Sequence, residues 1–379
     1  MRILSLFPRI RHIRKAILWF AICLACVLFQ TDVENIGTIL SLVILTMFYL
    51  YFFSQCKLKT NRTAGYLLIF ISVIVFASLL YNHDQKETFK FAIQAFMCVC
   101  CCSLTMTHEE YSFTKGLFVL FMCINCGVCT YSIFNNPNGL LIHDSINMYG
   151  TYFDPNFVCL PFVAASVISL NEAIVNKRWL YFIPFVIMFF TILITASRGA
   201  ILAFVLSNSL LLFGTILKRG RRSSLLFAII GIVALVYVYN YIDSEIFSTS
   251  DNSARIEQRK ELENMDSGRF DYWKMGLNLF EEHPVLGMGI IGFYEEIGHA
   301  NHNTYMQVLT GSGLIGSLFF AIFIVSVLKR ARRMDYGIFC MLAGLLIQIT
   351  FLDTLNSRYL WPLLSLAIMA PKQVLQVEK

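Results

Sequence analysis

WLYFIPFVIMFFTILITASRGAILAFVLSNSLLLFGTIL, residues Trp179–Leu217, contains one charged side chain, Arg198, in about 40 positions. A helix needs roughly 20 apolar residues to cross the hydrocarbon core of a bilayer, so the stretch holds two spans. Ser197-Arg198-Gly199 divides them and reads as a tight hairpin. Backbone groups in lipid must be hydrogen-bonded internally, which leaves helices as the spanning element for runs of this length. The fold class follows: an all-α polytopic membrane protein.

Working outward from that hairpin, the pattern recurs along the chain. Apolar runs lie near Ala16–Gln30, Ile36–Ser54, Ala64–Tyr81, Phe89–Met106, Phe113–Phe134 and Phe157–Leu170 before it. Ser224–Ile242, Thr304–Leu328, Tyr336–Leu352 and Ser357–Ala370 follow it. The expected total is about twelve transmembrane helices in a single membrane domain over residues 1–379. Composition agrees, since 57% of residues are hydrophobic and 14% charged, against about 45–50% and about 25% in soluble domains.

The net charge of +6 does not indicate nucleic acid, because the basic residues alternate between loops. With a cytoplasmic N-terminus, 21 of the 30 Lys and Arg fall on the inner side and 19 of the 24 Asp and Glu on the outer side. Cytoplasmic loops of membrane proteins carry this excess of Lys and Arg. Both termini are therefore expected in the cytoplasm. Basic residues ahead of a short apolar run imitate a secretory signal, but no small-x-small cleavage site follows and eleven further spans do, so a signal anchor is expected.

Polar residues gather on the outer side in three places: 135–156, the hairpin at 197–199, and the loop 243–301, about 60 residues long. Loops of that length are commonly functional or disordered. Within the last, Ser267 can cap an amphipathic helix over about 267–282. Its apolar residues Phe270, Trp273, Leu277 and Phe280 recur at spacings of 3, 4 and 3, which makes one stripe for lipid or the bundle. His283-Pro284 should end that helix, because the residue before proline avoids the α region.

Two familiar strings have plainer readings. Gly287-Met-Gly289-Ile-Ile-Gly292 matches G-x-G-x-x-G, yet the dinucleotide turn needs a preceding strand and a βαβ unit. A tight, close-packed turn is expected instead. Cys123-x-x-Cys126-x-x-Cys129 has ligand-like spacing, but it sits mid-span without a histidine or a fourth nearby cysteine. Cysteine is a common small apolar residue in buried helices, and packing is its expected role. The loop 243–301 contains no cysteine, so it carries no disulfide.

The residues that carry chemistry are few. Arg198 lies on the side where the charge bias disfavours Arg, and an ionisable group at membrane depth marks a functional site by default. Arg269 opens the amphipathic helix, where a cation opposes the helix dipole; an anionic partner or an ion pair with Asp266 or Asp271 would account for it. His302 stands where the outer loop re-enters the membrane, beside Asn303, and histidine exchanges protons near neutral pH. A capping role is the alternative for His302. Asp154, in Tyr152-Phe-Asp154-Pro-Asn156, opens the sixth span and is either a contact for sugar or arginine or an ordinary helix start.

Together, Gly268-Arg269 through Trp273, Glu282-His283-Pro284-Val-Leu-Gly287-Met-Gly289, and His302-Asn303 followed by nine residues and Gly313-x-x-Gly316 resemble the O-antigen ligase and Wzy-type polymerase superfamily. Ser197-Arg198-Gly199 is similar to the arginine motif of that family. One departure is visible, Ser317-Leu318 where ligases often have two threonines. The resemblance implies a GT-C-like membrane glycosyltransferase of the bacterial inner membrane, working on the periplasmic side without metal or nucleotide cofactor. It implies an undecaprenyl-pyrophosphate-linked glycan as donor and a sugar hydroxyl as acceptor, on another lipid-linked repeat unit or on lipid A-core. Besides these and membrane lipids, a chain-length regulator is an expected partner. It assigns Arg198 and Arg269 to the pyrophosphate and His302 to the general base, with Asp154 and Asn303 as further candidates. Ligase, protein O-oligosaccharyltransferase and lipid-linked oligosaccharide flippase are the alternatives to a polymerase. A transporter predicts charges inside the bundle and often an internal repeat; the sequence shows few such charges and no repeat.

Overall fold

The computed structural model describes residues 13–26, 36–59, 61–81, 83–135, 146–195, 197–219 and 269–371. Helices stand over the expected spans that fall within these residues. They are α1 (Lys15–Ala25), α2 (Ile36–Gln55), α3 (Arg62–Leu80), α4 (Gln85–Cys101), α5 (His108–Asn135), α6 (Pro155–Ile174), α7 (Phe182–Ile194) and α8 (Arg198–Arg219). After them come α9 (Arg269–Glu282), the short α10 (Gly292–Ile297), α11 (Thr304–Met334), α12 (Tyr336–Gln348) and α13 (Leu360–Ile368). Five of these are long and apolar enough to cross a membrane, and several more are shorter apolar helices. The ninth expected span, 224–242, and the first part of the outer loop, with Ser267, lie outside the described residues.

One element departs from an all-α reading. Ile146–Met148 (β1) and Thr151–Phe153 (β2) pair antiparallel, with Ile146 opposite Phe153. Tyr149 and Gly150 connect them with φ of 57° and 92°, the left-handed pair that a two-residue hairpin turn requires. A run of three residues is too short to show an alternating pattern, which is why the hairpin is silent in the sequence.

The centre of the bundle is α6, buried from Val158 to Ala173. It is apolar on every side, as expected of a helix surrounded by others, and packs on α5, α7, α8 and α12. Cys126 and Cys129 of α5 are buried in the same core. Among the described residues no three His, Cys, Asp or Glu side chains converge as a metal would need.

Polar contacts sort to the two ends of the bundle. At the end where α5 begins and α6 finishes, Lys115 is ion-paired with Glu172, lies 3.6 Å from Asp335 and stands over the ring of Tyr111. Arg178 reaches Glu172 at 3.1 Å, and Arg14 reaches Glu110 at 2.7 Å. The expectation of few charges in the bundle is corrected here: Lys115 and Glu172 are 5% and 1% exposed. Spaced far apart in sequence, they look like ends of separate spans until folding joins them. Removing one partner of a buried pair costs about 3–5 kcal/mol. Lys115→Met should therefore lower the thermal midpoint of the detergent-solubilised protein markedly, while the opposite end of the bundle is left untouched.

Candidate active site at the outer end of the bundle

The outer loop is fastened to a break in α11. At Gly313 the backbone turns to φ 58°, ψ −161°, a region that only glycine enters readily. Leu314 N donates to Pro284 O at 2.8 Å and Ile315 N to Val285 O at 3.3 Å. In exchange, Thr310 O accepts from Met288 N at 2.8 Å and Gly311 O from Gly289 N at 2.9 Å. These four helix groups are the ones an unbroken helix would pair with each other. The segment 284–289 thus satisfies backbone that could not be left unpaired in an apolar surround. Gly287 and Gly289 have φ of 69° and 91°, and a Cβ on Gly287 would fall 2.5 Å from Ser312 N. The G-x-G-x-x-G string is a close-packed turn against α11.

Anchored this way, the chain returns through Asn301-His302-Asn303 to the start of α11. Asn303 is buried, and its Oδ1 accepts from Tyr305 N at 2.9 Å and Met306 N at 3.2 Å, an N-cap. It acts on the helix and orients the residue before it. His302 is half-buried with φ 49°, a left-handed conformation uncommon outside glycine. Asp353 holds it there: Oδ2 accepts from His302 N at 2.9 Å and Oδ1 from Asn303 N at 3.1 Å. Burial pushes the Asp353 carboxyl up to about 6, and the two N–H donors oppose that rise. Thr304 Oγ1 ties the same strip of chain to Leu352 O at 2.5 Å.

Asp353 escaped the sequence reading. Its signal was present, since it is the sole acidic residue between Asp335 and Glu378 and stands at the outer end of an apolar run. An ionisable group at that position is a functional candidate on the same ground as Arg198.

Arg198 is exposed at the first position of α8. Ser197 supplies the start of the helix by accepting from Ala200 N at 3.3 Å, and donates its own hydroxyl to Asn156 Oδ1 at 2.6 Å. Asn156 is held in turn by Asp154, whose Oδ1 accepts from its backbone N at 2.6 Å and from its Nδ2 at 2.8 Å. Gln348 Nε2 donates to Asn156 O at 3.0 Å. Asp154 is thus the N-cap of α6 and a support for the Arg198 hairpin. Gly199 packs on Phe351, where a Cβ would lie 3.1 Å from the ring. The strip from Gln348 to Thr354 therefore touches the Arg198 hairpin at one end and the His302 turn at the other.

Arg269 opens α9, which ends at Glu282 before His283-Pro284. Its apolar stripe divides. Trp273 is half-buried and donates Nε1–H to Asn301 O at 3.2 Å, while Phe270 and Leu277 stay 63% and 47% exposed. The bundle-facing residue is Gly276, buried with its Cβ position 2.9 Å from Met306 Cε. A second clasp holds the loop to α3: Tyr81 Oη meets His283 Nδ1 at 2.8 Å, and His83 pairs with Glu295.

Beside the His302 turn lies an open pocket of about 330 Å³, between the 290–301 segment and residues 353–357. The structure thus joins the His302 turn, the start of α9 and the Arg198 hairpin through one outer-end network, and it makes Asn303 and Asp154 capping residues.

A family model described as O-Antigen ligase, Wzy_C, matches residues 183–321, a little over a third of the chain. The matched segment contains Arg198, Arg269, His302 and Gly313–Gly316; Asp154 precedes it and Asp353 follows it. No curated protein matches the chain.

Proposed function

We propose that the chain is a membrane glycosyltransferase of the O-antigen ligase and Wzy type, whose family model matches residues 183–321, and that it transfers a glycan from undecaprenyl pyrophosphate to a sugar hydroxyl at the periplasmic face, as an O-antigen or capsule polymerase. Twelve spans with both termini inside belong to the same proposal. The observation that carries it is the His302 turn, a strained histidine held by a carboxylate through two backbone N–H groups at the edge of a pocket. Strained backbone persists where its surroundings over-determine it, and such places cluster at sites of chemistry.

In this reading the acceptor oxygen bonds to the anomeric carbon of the donor as the bond from that carbon to the pyrophosphate oxygen breaks. The hydroxyl proton passes to the His302 imidazole, and undecaprenyl pyrophosphate leaves. Arg198 and Arg269 are assigned to the pyrophosphate, since the planar fork of an arginine binds phosphate oxygens in pairs. Fixed cations aimed at developing charge cost no reorganisation during the reaction. Asp353 acts on the histidine's position and stays clear of the transfer itself. The modest size of the outer loop and its His-Pro-x-x-Gly-x-Gly run favour a polymerase over a ligase.

Cells lacking the protein provide the test. A polymerase predicts surface glycan reduced to one repeat unit on lipid A-core, restored to a ladder by the wild-type gene. Complete loss of glycan from the core would mean a ligase, and an unchanged ladder would overturn glycan transfer altogether.

A further inference from the structure

The pocket beside His302 has a lining unlike that of an anion site. Phe157, Phe293 and Tyr294 form its apolar part, and Gln307, Asp353 and Asn356 are among its polar groups. Among the described residues, no Lys, Arg or His lines it. Asn356 donates its Nδ2 to the Glu87 carboxylate. A carboxylate only accepts, so the amide nitrogen has to face it. The Asn356 oxygen is buried with no hydrogen-bond partner among the described residues. An unsatisfied buried acceptor costs about 1–3 kcal/mol, so such an atom needs a donor from elsewhere. Gln307 is oriented as well, its Oε1 accepting from Leu355 N at 3.2 Å.

From this lining we infer that the pocket is the acceptor subsite, and that it takes a neutral sugar ring of the acceptor glycan. The inference rests on the glycosyltransferase reading above. Aromatic faces suit the C–H faces of a sugar ring, while amide and carboxylate oxygens receive its hydroxyl protons. Asp353 and, behind Asn356, Glu87 make the pocket unfavourable for a pyrophosphate, which would meet like charge without a cation. The volume stands at the small end of ligand pockets, roughly 300–1,000 Å³, so it suits part of a glycan and not a lipid-linked chain. Asn301 and Asp353 both line it and both adjoin His302, one along the chain and one by hydrogen bond. A hydroxyl of a ring seated there therefore lies next to the base.

Two variants of the full-length protein in lipid nanodiscs test the assignment. Asn356→Ala removes the unpartnered acceptor, and Ala300→Trp fills the pocket from its half-buried rim without disturbing Glu87. The first probe is the repeat-unit oligosaccharide released from the cells' own surface polysaccharide, carrying neither lipid nor pyrophosphate; the second is undecaprenyl pyrophosphate. Wild type should bind both. Each variant should bind the oligosaccharide about tenfold more weakly and undecaprenyl pyrophosphate as wild type does. Absence of oligosaccharide binding to wild type, unchanged binding in both variants, or equal weakening of both probes would overturn the subsite. Glycan transfer by wild type in the same nanodiscs is read separately: its absence alongside the expected binding pattern would sink the enzymatic reading and leave the sugar pocket standing.

Discussion

His302→Ala should abolish the glycan ladder while the protein remains in the membrane at its normal level. A general base commonly contributes about 10²–10⁴-fold to rate, enough to leave single repeat units on the cell surface. The side chain is half-buried at a turn fixed by backbone bonds, so alanine removes the imidazole without removing those bonds. A normal ladder from a stably present variant would end the assignment of His302 as base. Asp353→Asn is the companion change, because an amide nitrogen cannot accept from the second N–H and about 1–3 kcal/mol is lost when a buried donor goes unpaired. Transfer by wild type should fall on the acid side more steeply than one protonation allows, as His302 and Asp353 both take up protons. In Asp353→Asn the limb should reduce to a single protonation.

The sign for stability is opposite to that for activity. The fold raises the Asp353 carboxyl from its ordinary 3.8 to about 6, so between roughly pH 4 and 6 the folded chain binds this proton more readily than the unfolded one. Its contribution is then greatest at low pH and is lost as pH rises through about 6. The thermal midpoint of wild type relative to Asp353→Asn should accordingly decline across that window. A difference independent of pH would refute the raised carboxyl.

Gly313→Ala is the second large effect, and it acts without touching any group assigned to chemistry. A Cβ there would stand 2.5 Å from Val285 C and O, and the backbone at φ 58°, ψ −161° is closed to alanine at a cost of about 1–3 kcal/mol. Relief requires either straightening α11 or displacing residues 284–289, and either breaks the four exchanged backbone bonds. We expect loss of transfer together with rapid proteolysis within 243–301. The neighbouring Leu314→Ala, at a side chain 59% exposed, should behave as wild type. Equal protease resistance in Gly313→Ala would show that the break in α11 does not hold the loop.

Much of this was legible beforehand, and the reasons differ by residue. Arg198 stood out because lipid makes a lone charge conspicuous. Arg269, His302 and the Gly-x-x-Gly pair were recognisable because they lie in one stretch with fixed spacing. Asp353 and Asn356 were missed because each acts on a residue far away in the chain, 51 positions for Asp353 with His302 and 269 for Asn356 with Glu87. The stripe on α9 was readable as a period, but not the division of that stripe by Gly276, which depends on where Met306 lies.

The sequence by itself determined a helical membrane protein, and it singled out Arg198, Arg269 and His302 as the candidates for phosphate and proton chemistry. Hydropathy and charge are local quantities, and the bilayer reads them one segment at a time. Only the tertiary structure decided that the Arg198 hairpin leans on Asn156, that the glycine string replaces the backbone bonds of a broken helix, and that Asp353 holds the His302 turn. Those roles are set by hydrogen-bond partners, and partners separated by tens to hundreds of residues meet only when the bundle closes.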